Sequence, residues 1–279
     1  MSIKLLNIKG KLMTLDKPVV MGILNVTPDS FYKESCQTDE HRIKHRIETI
    51  MGESAAFIDV GGCSTRPDAA VVSETEEWER LEPALKILSA GYADIPVSID
   101  TFRAEIARRA VEDYGVAVIN DISGGMIDGK MFETVADLNV PYVLMHIRGT
   151  PQTMRQNTDY RNPTEEVMLY FSDKLRTLRR MGVKDVIIDI GFGFSKTVSQ
   201  NYELMRYLRE FGTMTDCPVL VGISRKIMIY EFLDIPVEES LNGTTVLNTF
   251  ALLNGADILR VHDVKAAVEA IKIVDKLIN

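Results

Sequence analysis

From Val19 to the C-terminus, two hydrophobic patterns take turns along the chain. Short β-branched apolar runs are each followed by a longer amphipathic segment. The runs are Val19–Val26, Ala56–Gly61, Pro96–Asp100, Val116–Asp121, Pro141–His146, Asp185–Ile190, Pro218–Ser224 and Ile258–Asp263. Helical spacing fills 40–54, 74–90, 103–113, 129–138, 164–181, 199–211, 238–253 and 264–277. The runs show little polar alternation, as strands covered on both faces should, so they predict a parallel sheet. Helix starts are marked by Ser73 before Glu74, Glu76 and Glu77, and by Asn162-Pro163 before Glu165 and Glu166. About eight strand–helix units close a parallel barrel, so the prediction is an α/β protein of the (β/α)8 TIM-barrel class. Met1 to Lys17 reads as a β-hairpin turning at Lys9-Gly10-Lys11 and closing the bottom of that barrel. No linker or shift in composition divides the chain, which predicts a single domain over residues 1–279.

An open doubly wound sheet would show the same alternation. Its dinucleotide site needs a glycine-rich turn after the first strand, and that strand ends instead in Asn25-Val26-Thr27-Pro28-Asp29. Hydrophobic residues make up 46% of the 279, enough for a sizeable core, yet no run is long enough to span a bilayer. A net charge of −8 argues against broad nucleic-acid binding while leaving room for an anion held by a few local cations. Cys36, Cys63 and Cys217 lack metal-ligand spacing, and an odd cysteine count without a signal peptide suits a reducing cytoplasm. His41 and His45 stand four apart, but Glu40, Arg42, Lys44 and Arg46 around them read as a solvated helix face. Trp78, on a charged helix, reads as a packing anchor.

The candidate chemistry stands at the carboxyl ends of the strands. In order these are Asn25, Asp59, Asp100, Asn120 with Asp121, His146, Asp189, Ser224 with Arg225 and Lys226, and Arg260 with His262 and Asp263. In a parallel barrel all of these ends converge on one face, where active sites are built. Asp100, Asn120 and Asp189 suit the N–H and carbonyl edges of a flat heterocycle. Arg66, Lys226, Arg260 and His262 form a cationic set suited to phosphate oxygens. A heterocycle held beside an anion is the reading of these residues. Two loops rich in turn formers, from Thr27 to about Glu40 and from Gly61 to Asp68, stand where lids are common.

Gly22-Ile23-Leu24-Asn25-Val26-Thr27-Pro28-Asp29-Ser30-Phe31 and Asp59-Val60-Gly61-Gly62 with Ser64-Thr65-Arg66-Pro67 resemble the paired signatures of the dihydropteroate synthase family. The resemblance continues through Ser98-Ile99-Asp100-Thr101, Ile119-Asn120-Asp121-Ile122-Ser123-Gly124-Gly125, Met145-His146 and Gly149-Thr150-Pro151. It ends with Asp189, Gly191-Phe192-Gly193-Phe194, Gly222, Ser224-Arg225-Lys226 and Arg260-Val261-His262-Asp263.

That resemblance implies a reaction of 6-hydroxymethyl-7,8-dihydropterin diphosphate with 4-aminobenzoate. By analogy with the family, Asp100, Asn120, Ile122, Met145, Asp189, Gly222 and Lys226 hold the pterin. Asn25 binds Mg2+, and Asn25, Arg66, Arg260 and His262 meet the diphosphate. Thr65, Arg66, Pro67, Phe194 and Ser224 form the aminobenzoate site. Asp100, Lys226 and Asn25 carry the chemistry, which is dissociative, and no nucleophilic serine or cysteine is needed. The family also implies a homodimer through the later helices and inhibition by sulfonamides.

Some positions depart from the family pattern. These are Ile190 for proline, Ser195 for glycine, Cys63 for glutamate, Asp68 for glycine and Arg148 for glutamine, together with a first loop, Tyr32 to Asp39, that lacks an Asp-Gly-Gly stretch. A methyltetrahydrofolate-binding barrel serving a corrinoid protein would share the pterin pocket, and a non-catalytic paralogue could keep it without turnover.

Overall fold

The computed structural model describes residues 4–27, 36–64 and 72–278. The chain opens with β1 (Lys4–Ile8) and β2 (Lys11–Leu15), an antiparallel hairpin in which Ile8 pairs with Lys11. The two-residue turn needs left-handed backbone at both positions, and Lys9 (φ 51°) and Gly10 (φ 80°) supply it.

Eight parallel strands follow: β3 (Val19–Asn25), β4 (Phe57–Gly61), β5 (Val97–Asp100), β6 (Val118–Asp121), β7 (Tyr142–Met145), β8 (Val186–Asp189), β9 (Val219–Val221) and β10 (Ile258–Val261). They pair in sequence order, and β10 pairs with both β9 and β3, so the barrel is closed. The helices are α1 (Cys36–Gly52), α2 (Glu74–Gly91), α3 (Ala104–Tyr114), α4 (Met131–Leu138), α5 (Pro163–Arg180), α6 (Val198–Arg206), α7 (Leu208–Thr215), α8 (Ile227–Leu233), α9 (Leu241–Leu253) and α10 (Val264–Ile278). The marked helix starts are used: Ser73 Oγ accepts from the Glu76 N–H at 3.2 Å, and Asn162 Oδ1 from the Glu165 N–H at 3.1 Å.

Two elements differ from the sequence pattern. The segment 199–211 is two helices, because the backbone turns at Tyr207 so that Leu204, Met205, Leu208 and Phe211 are all buried. Helix α8 is unannounced because Ile227–Leu233 is apolar nearly all round and shows no amphipathic period.

One core lies between the strands and the surrounding helices, and a second fills the bottom of the barrel. In the second, Leu6, Ile8 and Leu15 of the hairpin pack against Met21, Phe57, Val118, Val143, Ile187, Leu220 and Ile258 near the strand starts. Each such side chain contributes about 1.5–3 kcal/mol on burial. The Lys4 ammonium, 2.7 Å from Asp257, ties the edge of the hairpin to the barrel. With its bottom plugged, the barrel is left open to ligands at the carboxyl ends of its strands.

Candidate active site at the carboxyl ends of the strands

Parallel register sets the site residues at a common height. Asn25 pairs with Gly61, Gly61 with Asp100, and Asp100 with Asn120. Across the barrel, Met145 pairs with Asp189. Two glycines keep the mouth open. A Cβ on Gly61 would stand 3.4 Å from Asn25 Oδ1 and 3.5 Å from Asp100 Cβ; one on Gly222 would stand 3.8 Å from Asp189 Oδ2 and 3.9 Å from Arg260 Cβ.

A charged network joins these positions. Asp59 is fully buried, and its Oδ2 accepts from Arg260 Nε at 2.7 Å and from Asn120 Nδ2 at 3.0 Å. Arg260 Nη2 also donates to Asp100 Oδ2 at 2.6 Å. A carboxylate can only accept, so Asp59 dictates which way the Asn120 amide points and leaves Asn120 Oδ1 as an acceptor. Burial raises the Asp100 pKa to about 7 against the pull of Arg260. Burial also raises that of Asp189, with Lys226 opposing; Asp189 Oδ1 accepts from the Gly191 N–H at 2.8 Å. Lys226 is lowered to about 8 by burial, against the attraction of Asp189. Its ammonium donates to Phe192 O and lies 4.3 Å from the centre of the Phe194 ring. Phe194, Ile122 and Met145 share one apolar cluster with Ile147, Met154 and Phe102.

Not every strand-end group faces the mouth in a free state. Asp121 accepts from the N–H groups of Ser123 and Gly125 and from Tyr142 Oη, which fixes the turn after β6. Asp263 is held by a two-pronged pair with Arg225 at 2.9 and 3.0 Å. His146 packs edge-on to Tyr170. His262 needs correction as a cation: burial and the neighbouring Arg260 lower its pKa to about 4, so it is neutral at pH 7. Its Nδ1 lies 3.0 Å from Ser224 Oγ, which also accepts from the His262 backbone N–H at 3.2 Å. Thr65, Arg66 and Pro67 lie outside the described residues, as do Asp68 and the part of the first loop from Pro28 to Ser35.

Sequence reasoning passed over Lys196. This lysine is buried, with its ammonium 2.9 Å from the carbonyls of Gly191 and Phe194 and 3.0 Å from His146 Nδ1. The available signal was its place directly after the Gly191–Phe194 run, where an ordinary surface lysine would read the same. Gly191 has to be glycine: a Cβ there would lie 2.1 Å from His146 O. Among the described residues no group of three or more His, Cys, Asp or Glu side chains could hold a metal ion. The one amide oxygen of Asn25, facing the gap over Gly61, suits a hard cation whose other ligands are phosphate oxygens and waters.

A family described as pterin binding enzymes matches residues 21–262. The dihydropteroate synthase of a Synechocystis species is 43% identical over 92% of this chain and 89% of its own. The chain belongs to the dihydropteroate synthase family. Its relative in Escherichia coli K12 is 37% identical, over 97% of this chain and 95% of that one. The Xanthomonas albilineans dihydropteroate synthase, solved with 4-aminobenzoic acid, superposes with a TM-score of 0.90 at 34% identity, covering 99% of this chain and 98% of that one. The Yersinia pestis enzyme, solved as a sulfonamide drug complex, does so with a TM-score of 0.90 at 35% identity, covering 98% of both chains. The chain is thus a transferase whose function is dihydropteroate synthesis in folate biosynthesis.

Two of the chain's departures from the family pattern touch each other. Ser195 takes a left-handed conformation (φ 47°), and its Oγ accepts from the Arg148 N–H at 2.9 Å. Arg148 stacks 3.7 Å over the Tyr160 ring and pairs with Glu166, fastening the loop after β7 to α5. A third, Cys63, lies 3.7 Å from the Arg103 guanidinium, whose charge is met by the buried carboxylate of Glu77.

Proposed function

We propose that the protein condenses (7,8-dihydropterin-6-yl)methyl diphosphate with 4-aminobenzoate, giving 7,8-dihydropteroate and diphosphate. The observation that carries this reading is the network in which Arg260 bonds both Asp100 and Asp59 and Asp59 bonds Asn120, at the same barrel mouth as Asp189 and Lys226. Asp100, Asn120 Oδ1 and Asp189 Oδ2 present acceptors to the amino and ring N–H groups of the pterin, and Lys226 donates to its oxygen or nitrogen acceptors. Arg260 has two N–H groups left on Nη1 for the diphosphate, and neutral His262 and Arg66 add further donors. Phe194 and Ser224, with Thr65, Arg66 and Pro67, are assigned to the aromatic amine; that the Xanthomonas relative was solved with 4-aminobenzoic acid supports 4-aminobenzoate as the second substrate.

The reaction begins with heterolysis of the C–O bond between the pterin methyl carbon and diphosphate, the electron pair leaving with oxygen. Asp100 stabilises the cation left on the carbon, and Arg260 the charge on the leaving group. Asn25 would hold a Mg2+, which when bound would add positive charge for the leaving group. The amine lone pair then forms the C–N bond, and its proton passes to solvent. An aromatic amine is already neutral at pH 7, so no strong general base is required. A second copy of the chain is proposed to cover the apolar face of α9 and α10.

The test is a coupling assay with purified protein, Mg2+, dihydropterin diphosphate and labelled 4-aminobenzoate. Labelled dihydropteroate that depends on both substrates is expected. Folded protein that binds the dihydropterin yet forms no product would overturn the reading.

A further inference from the structure

A buried lysine is expensive where a methionine would fill the same space, so the surroundings of Lys196 call for a reason. It sits beneath the loop from Gly191 to Ser195 that joins β8 to α6, and it is only 7% exposed. An ammonium has three N–H donors and no acceptor. Three acceptors lie within reach: Gly191 O and Phe194 O at 2.9 Å and His146 Nδ1 at 3.0 Å, with His146 O further off at 3.4 Å. Burial pushes its pKa well below the ordinary lysine value, and the charge of Asp189 pulls it back.

What the loop carries gives the contacts their meaning. Phe192 O accepts from Lys226, the Phe194 ring lies 4.3 Å from the same ammonium, and the Gly191 N–H donates to Asp189 at 2.8 Å. Two pocket groups on different elements, Asp189 and Lys226, are therefore contacted by the loop that carries Phe194, and that loop is wrapped round one side chain. Its other ties include the Gly193 N–H to Asn201 Oδ1 at 2.7 Å, the Arg148 N–H to Ser195 Oγ at 2.9 Å and a turn bond from the Phe194 N–H to Gly191 O at 3.1 Å; Lys196 is the side chain that bonds both the Gly191 and the Phe194 carbonyls.

We propose that Lys196 is a positioning residue for the second substrate: by drawing the Gly191 and Phe194 carbonyls and His146 onto one ammonium, it sets the Phe194 wall against which the aromatic amine is held. The inference rests on the functional reading above.

The experiment uses the full chain and compares wild type, Lys196→Met and Lys196→Ala. Steady-state kinetics give KM for 4-aminobenzoate, and fluorescence titration gives Kd for dihydropterin diphosphate. Because misplacement by an ångström costs up to about a hundredfold, KM for the amine should rise about tenfold or more in both variants. Kd for the pterin should change less, since of its four polar ligands Asp189 and Lys226 touch this loop only through Gly191 and Phe192, and Asp100 and Asn120 stand on other strands. Propylammonium supplies the atoms that alanine lacks, so adding it should restore the amine KM of Lys196→Ala and leave Lys196→Met unaffected. A merely structural lysine would lower the folded fraction, and with it kcat, without separating the two substrates; that result would overturn the inference, as would an unchanged amine KM. Wild-type turnover, measured alongside, keeps the readings apart: absent product in wild type defeats the functional reading, whereas equal amine KM in wild type and variants defeats this inference alone.

Discussion

Asp100 has two partners competing over its charge. Burial favours the neutral acid, Arg260 at 2.6 Å favours the carboxylate, and the balance lies at about 7. In the proposed reaction its charge matters most when the pterin-methyl cation forms, so Asp100→Asn should lower kcat by about a hundredfold or more, as loss of one transition-state electrostatic contact does. Pterin Kd should change much less, because the amide keeps a hydrogen-bonding edge. Equal losses in kcat and in binding would sink the assigned role. The pH dependence follows with its sign: Asp100 gains its charge as pH rises through about 7, and Lys226 loses its own as pH rises through about 8. A profile of kcat/KM for the pterin should therefore fall on both sides of a maximum between these values, with limbs belonging to the coupled site. A flat profile from pH 6 to about 9 would contradict it. At this scale the sequence showed which polar residues end the strands. It could not show that Asp59 orients Asn120, since that bond joins residues 61 positions apart. Nor could it show that burial leaves His262 neutral.

The strand-to-helix connections show where local pattern stops being informative. Strands were legible to within one to three residues because a doubly covered strand needs an unbroken apolar run. Helices were legible where one face met water; α8 was not, being apolar nearly all round, and the turn at Tyr207 was not, since no proline or glycine marks it. Ser195 illustrates the same limit in a loop. Serine in left-handed backbone carries a cost of about 1 kcal/mol relative to glycine, and its acceptance of the Arg148 N–H offsets a similar amount. Ser195→Ala keeps the strain and loses the bond, so it should destabilise by about 1 kcal/mol. Ser195→Gly loses the bond and the strain together and should be close to neutral. Thermal unfolding of the three proteins checks the order, and an alanine variant as stable as wild type would show that the hydrogen bond contributes nothing.

For the molecule as a whole, the bottom of the barrel and its sides are covered to different degrees. The hairpin covers the bottom with Leu6, Ile8 and Leu15, and the helices cover the strands, yet one flank keeps large apolar side chains in water. Val246, Phe250 and Leu253 form a stripe along α9, and Ile273 and Leu277 another along the adjacent α10; Val246 is 59% and Leu277 73% exposed. Spacings of three and four place each set on one helix face, so each of the two neighbouring helices exposes an apolar stripe of the sort that marks an interface. A surface patch that packs against its own copy closes with two-fold symmetry and requires no other partner. Light scattering should then give twice the 31.3 kDa chain mass for the wild type. Val246→Glu combined with Ile273→Glu would put four carboxylates into that interface and should yield the single-chain mass with the barrel still folded. Val246 and Ile273 are not among the residues assigned to the pterin, so the dissociated variant should still bind dihydropterin. A wild-type chain that scatters as a monomer at every concentration would leave the patch without its proposed cover.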